Sequence, residues 1–104
     1  MQKLSGKQKR YLRASANPLS PIFSIGKNGL NQQWVDEVVA ALAKRELIKV
    51  SIQQTAEVDV KDLAEFLHQH SEITVVQTIG RTAVLYLPAK EEKYAKLSPL
   101  VAKL

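Results

Sequence analysis

Apolar side chains recur at three- and four-residue intervals over 32–45, where Val35, Val38, Val39 and Leu42 fall on one side of a helix. Asn31 stands just ahead as a good N-cap, so a helix is predicted over Gln32–Arg45. The period then changes. From Leu47 the chain alternates Ile48, Val50 and Ile52 with Lys49 and Ser51, which predicts a half-buried strand over 47–53. Val60, Leu63, Ala64 and Leu67 return to helical spacing and predict a helix over 59–70, with Asp59 and Asp62 near its positive N-terminal end. Two β-branched and apolar runs, 73–79 and 82–87, flank Gly80-Arg81, a two-residue hairpin turn with glycine first, and Pro88 ends the second run.

Nearer the N-terminus, Ser5 and Gln8 have capping-box spacing and predict a helix over Gly6–Ala16, stopped by Asn17-Pro18. At roughly 100° per residue, Lys3, Lys7 and Arg10 share one side with Arg13 beside them, while Tyr11 and Leu12 lie elsewhere and are free to pack inward. Pro18 and Pro21 frame a connector, and Ile22-Phe23-Ser24-Ile25 reads as a short strand broken by Gly26-Lys27-Asn28-Gly29. The tail, 89–104, is Lys-rich with Tyr94, Leu97, Leu100 and Val101, and is expected to form a helical turn or two interrupted at Pro99. The order of elements is helix, strand, helix, strand, helix, strand, strand. It predicts an α/β two-layer sandwich, helices on a four-stranded mixed sheet. With 104 residues, 45% of them hydrophobic, one domain over 1–104 is expected, its tail loosely packed.

Charge changes the picture more than composition does. The formal net charge is +5, and every charged residue up to Val35 is positive: Lys3, Lys7, Lys9, Arg10, Arg13 and Lys27. Those six leave −1 for the rest, an ordinary mixed surface. A basic segment that no acid neutralises points to a polyanionic partner rather than to a merely solvated face. The absence of cysteine excludes disulfides, thiolate metal sites and a Cys nucleophile. No run approaches the roughly 20 apolar residues of a membrane span. A soluble, cytoplasmic protein is therefore expected.

The loop Gly26-Lys27-Asn28-Gly29 joins a strand to a helix start, where backbone N–H groups and the helix dipole favour an anion. Its glycines allow a phosphodiester close to the main chain, Lys27 adds charge, and Asn28 either donates hydrogen bonds or adopts a left-handed conformation. GXXG loops clamp RNA in this way, although four such residues equally make an ordinary turn. Walker and dinucleotide signatures are missing. Arg81 at the hairpin tip is either part of the basic patch or solvated, and Lys49 is read as surface filler. His68 and His70, two apart on a helix, do not converge on a metal. Asp36/Glu37 and Glu91/Glu92 lack a nucleophile or proton partner. Trp34 and Phe66 are expected in the core. Tyr86 is placed either on the surface, where it would stack a base, or beneath a helix.

Together the residues resemble the CRM domain family, named for chloroplast RNA splicing and ribosome maturation, in its bacterial stand-alone, YhbY-like form. The resemblance rests on Leu4-Ser5-Gly6-Lys7-Gln8-Lys9, Leu12-Arg13, Pro21, Ile25-Gly26-Lys27-Asn28-Gly29-Leu30, Glu46-Leu47-Ile48-Lys49-Val50, Val76-Gln77-Thr78-Ile79-Gly80-Arg81 and Val84-Leu85-Tyr86. It implies a fold similar to the C-terminal domain of translation initiation factor three. It also implies RNA binding through the GXXG loop and adjacent basic surface, and association with precursors of the large ribosomal subunit. Two places depart from the family's pattern. His70-Ser71-Glu72 stands where a Gly-containing turn is common, and Leu87-Pro88 where a basic residue follows the Val-Leu-Tyr run.

The expectation is a monomeric RNA-binding module, not an enzyme, with no cofactor and no metal. Gly26, Lys27, Asn28, Gly29, Lys7, Lys9, Arg10, Arg13 and Arg81 are its candidate RNA contacts. Without an exposed aromatic platform, recognition of backbone and shape is expected. The alternative is a protein-interaction adaptor whose basic charge is incidental.

Overall fold

The computed structural model describes residues 3–104. Its elements are α1 (Gly6–Ala16), β1 (Pro21–Ile25), α2 (Gln32–Arg45), β2 (Leu47–Ile52), α3 (Val60–His70), β3 (Thr74–Ile79), β4 (Thr82–Tyr86), a single 3-10 turn at Glu92–Tyr94, and α4 (Ser98–Ala102). The strands form one sheet in the order β1-β2-β4-β3. β1 runs parallel to β2, and β4 lies antiparallel between β2 and β3. A mixed sheet follows from the connections: α2 and α3 carry the chain back between parallel strands, and Gly80-Arg81 closes the β3–β4 hairpin.

Alternation along the strands divides the core in two. Ile48, Val50 and Ile52 of β2 and Ala83 and Leu85 of β4 face α2 and α3, where they meet Val35, Val38, Leu42, Leu63 and Leu67. That is the two-layer body expected from the periodicity. Leu47, Val84 and Tyr86, one residue out of phase, face the other way and are covered by Leu4, Leu12 and Ala16 with Val101 of α4. Tyr86 thus packs beneath helices, and burial together with the nearby Glu46 carboxylate pushes its hydroxyl up to about 12.

Local chemistry sets the helix starts. Ser5 and Gln8 form a capping box on α1, Asn31 caps α2, and Asp59 with Asp62 forms a second capping box on α3, so Asp59 precedes that helix rather than opening it. Strands β2 and β4 each end one residue before the expected boundary, and β3 starts one later.

The tail, expected to pack loosely, is tied down. Its anchor is Glu46, which closes α2 with φ +65° and has its side chain buried. Glu46 Oε2 accepts from the Ala89 N–H at 2.9 Å, and Oε1 from the N–H groups of Lys96 at 2.8 Å, Leu97 at 2.7 Å and Ser98 at 3.3 Å. Burial by itself would push this carboxyl up. The hydrogen bonds from Ala89, Ser98 and Leu97 outweigh it and hold the carboxyl below its usual value. Pro99 does not interrupt a helix but stands in the first turn of α4, where a missing N–H costs nothing.

Candidate nucleic-acid interface

β1 ends at Ile25, and the chain turns over 26–29 before Asn31 caps α2. The Gly29 N–H donates to the Gly26 carbonyl at 3.0 Å, closing a β-turn with Lys27 and Asn28 exposed between them. The two glycines serve different ends. Gly29 has φ +68°, which a Cβ would strain, so Gly29 rather than Asn28 takes the left-handed conformation. At Gly26 a Cβ would stand 2.9 Å from Gln53 Oε1, so glycine there makes room for a neighbour.

That neighbour organises this end of the sheet. Ile25 is in register with Ile52 across β1 and β2, and the neighbouring Ser51 with Thr82 across β2 and β4, so the loop, Gln53 and the Gly80-Arg81 turn leave the sheet at the same end. The Gln53 N–H donates to the Ile25 carbonyl at 2.9 Å, and its Nε2 to Ser24 Oγ at 3.0 Å. Arg81 Nη1 in turn donates to the Gln53 carbonyl at 3.0 Å. The hairpin arginine is therefore held on the segment that packs against the loop. Gln53 carried no signal in the sequence, since its partners lie 28 and 29 residues away.

Between the loop and the first turns of α2 lies an open depression of about 320 Å³, lined by Ser24, the loop, Gln33, Trp34 and Glu37 among others. Trp34 was expected inside the core and is instead half-buried at its rim. Its Nε1 donates to the Ser24 carbonyl at 3.1 Å, and its backbone N–H to Asn31 Oδ1 at 2.8 Å. An indole with a polar edge settles at such a boundary because full burial would leave its N–H to be satisfied inside. Phe66 is likewise half-buried, with its ring 4.4 Å from that of His70. An aromatic surface does border the loop, contrary to the expectation that none was available.

The basic helix is placed apart from the loop. α1 covers the opposite sheet face from α2 and α3, with Leu12 and Ala16 inward and Lys7, Lys9, Arg10 and Arg13 exposed. Gln8 Nε2 donates to the Val101 carbonyl at 2.9 Å, and Lys49 Nζ reaches the Asn17 carbonyl at 3.4 Å, a cation at the negative end of the helix dipole. Lys49 is thus a prop for α1 and not free filler. Where the sequence departs from the family pattern, the chain uses other bonds. Ser71 Oγ donates to the Leu67 carbonyl and accepts from the Ile73 N–H, while the Leu87 N–H donates to the Glu46 carbonyl.

Among the described residues no group of three or more His, Asp or Glu side chains could hold a metal ion, and no helix is long and apolar enough to cross a membrane. The CRS1 / YhbY (CRM) domain matches residues 4–86, from two residues before α1 to the end of β4. The chain belongs to this family. It is 50% identical over 94 residues to Bacillus subtilis "Probable RNA-binding protein YqeI", covering 90% of this chain and 98% of that one. It is 36% identical over 93 residues to a Haemophilus influenzae protein named "RNA-binding protein", covering 89% and 94%. The solution structure of the hypothetical protein SAV1595 from Staphylococcus aureus superposes with a TM-score of 0.71 at 44% identity, covering 90% of this chain and 98% of that one. At that identity and TM-score the two chains share one fold.

Proposed function

We propose that this chain binds RNA through its backbone, with the loop 26–29 clamping phosphate, Lys27 and Arg81 supplying charge beside it, and Lys7, Lys9, Arg10 and Arg13 extending the contact along α1. The observation that carries this reading is the turn itself: two glycines, an exposed Lys27 and an arginine tethered through Gln53, set at the start of a capped helix. Such a start offers N–H groups and a positive dipole end to an anion. The relatives' names, which mention RNA, agree with it.

The finer reading is association with the large ribosomal subunit or its precursor, as a cytoplasmic monomer that positions RNA and performs no chemistry. A charge-lined surface with a glycine-flanked turn recognises the spacing and shape of phosphates, a task suited to structured ribosomal RNA. The test is binding of structured ribosomal RNA by the wild type and by Lys27→Ala combined with Gly29→Asp, after both are shown to be folded. The expected outcome is binding at least ten-fold weaker for the variant, since one charge is lost, another of the wrong sign is added, and the turn is strained. Equal binding would leave the loop a mere turn and direct attention to a protein partner.

A further inference from the structure

We propose that the depression beside the loop is a nucleobase pocket, in which the Trp34 indole stacks an unpaired guanine while the Glu37 carboxylate accepts from its N1–H and N2–H. The inference rests on the RNA-binding reading above and adds base selection to it.

The stacking surface is preorganised. Hydrogen bonds from Nε1 to the Ser24 carbonyl and from the backbone N–H to Asn31 Oδ1 hold Trp34 at both ends of the residue, so no ordering is required when a base arrives. The volume of about 320 Å³ lies at the lower end of the roughly 300–1,000 Å³ range of small-molecule sites. Charge then decides which part of a nucleotide enters. Glu37, three residues after Trp34 and on the same face of α2, puts a carboxylate in the wall and disfavours a phosphate there. Lys27, exposed on the loop side, favours one. Phosphate is thus assigned to the loop, and the uncharged base to the depression.

The carboxylate also selects among bases. An ionised carboxylate only accepts hydrogen bonds. Guanine presents two adjacent donors on its Watson–Crick edge. Adenine and cytosine set one donor beside an acceptor lone pair, and uracil sets one between two carbonyls, so each would turn an acceptor toward the second carboxylate oxygen. Bases splayed from RNA loops and bulges are commonly read in this way, one face stacked and one edge hydrogen-bonded.

Trp34 is the sole tryptophan of the chain, so its fluorescence reports on the pocket directly. The full chain would be titrated with the ribo-heptamers UUUGUUU, UUUAUUU, UUUCUUU and UUUUUUU. Indole emission would report on stacking, and anisotropy of an end-labelled strand on total binding. The expected result is quenching by the guanine heptamer together with binding roughly five-fold or more tighter than the others, the discrimination of one bidentate pair. Glu37→Gln, on the exposed helix surface, should bring that preference to about two-fold or less, because the amide sets a donor against a donor. Trp34→Ala should weaken binding of the guanine strand by roughly ten-fold, and Trp34→Phe, which keeps a ring in place, by less. Equal binding of all four heptamers without quenching would overturn the proposal, as would a guanine preference that survives Glu37→Gln. In either case the clamp reading stands provided that Lys27→Ala still weakens every strand. Failure of all four heptamers and of structured ribosomal RNA to bind would overturn both.

Discussion

A substitution at Gly26 and one at Gly29 remove the same hydrogen atom and should have different consequences. Gly29 sits at φ +68° with open space around its Cα, so Gly29→Ala strains the backbone and nothing nearby can relieve it. A cost of about 1 kcal/mol is expected. At Gly26 the obstacle is the end of a flexible side chain, Gln53 Oε1 at 2.9 Å, and displacing it gives up the bond from Nε2 to Ser24 Oγ. Gly26→Ala should therefore cost about 0.5–1.5 kcal/mol, the worth of one hydrogen bond. In a Gln53→Ala background most of that cost should disappear. Urea midpoints of the two single variants and the double variant form a cycle that reads this coupling. Additive effects would mean that Gly26 is constrained by something other than Gln53. The loop was legible in the sequence because glycine and lysine at a strand-to-helix junction carry their own chemistry. The separate reasons for the two glycines were not, because one depends on a residue 27 positions further along the chain.

At the scale of elements, the helices were readable to the residue where capping and apolar spacing agreed, as in Gly6–Ala16 and Gln32–Arg45. The tail was not, because what orders it is a carboxylate 43 to 52 residues away in sequence. Glu46 adopts φ +65°, a conformation that costs a non-glycine residue of order 1–3 kcal/mol. Four N–H donors on its carboxylate offset that strain. Glu46→Gln exchanges one accepting oxygen for a donor, so at least one tail N–H loses its acceptor, and a destabilisation of roughly 1–3 kcal/mol is expected. The same arrangement makes the tail sensitive to acid. Because the folded carboxyl is held below its ordinary value, its contribution is full at pH above that ordinary value and is lost as pH falls through the lowered folded one. Protection of the Leu97 and Ser98 amides, read by NMR as exchange relative to the intrinsic rate at each pH, should fall over that acid window in the wild type. In Glu46→Gln that protection should already be low and should not change with pH across the same window. Slow exchange in the variant would show that the packing of Val101 and the bond from Gln8 Nε2 to its carbonyl hold α4 without the carboxylate.

For the whole molecule, the open matter is whether α1 and the loop act on one RNA. The +6 of the first 35 residues is a single block in sequence, yet folding divides it. Lys27 lies at one end of the sheet with Arg81, while Lys7, Lys9, Arg10 and Arg13 lie on the helix that covers the face opposite α2 and α3. In a body measuring 39 × 25 × 24 Å, an RNA that touches both must bend around it or present two separated backbones. Salt dependence counts the phosphates engaged. Each contact contributes roughly −0.7 to the slope of log K against log[salt] for a single strand, so Lys27 and Arg81 with the four α1 cations predict about −4.2, and Lys27 with Arg81 alone about −1.4. Replacing Lys7, Lys9, Arg10 and Arg13 with Gln, all at exposed helix positions, should leave α1 folded, since Gln is nearly as good a helix former as Lys or Arg. If both surfaces grip one RNA, the slope should fall by about 2.8 in that variant. An unchanged, shallow slope would confine the RNA to the loop end and leave the charge of α1 outside the interface.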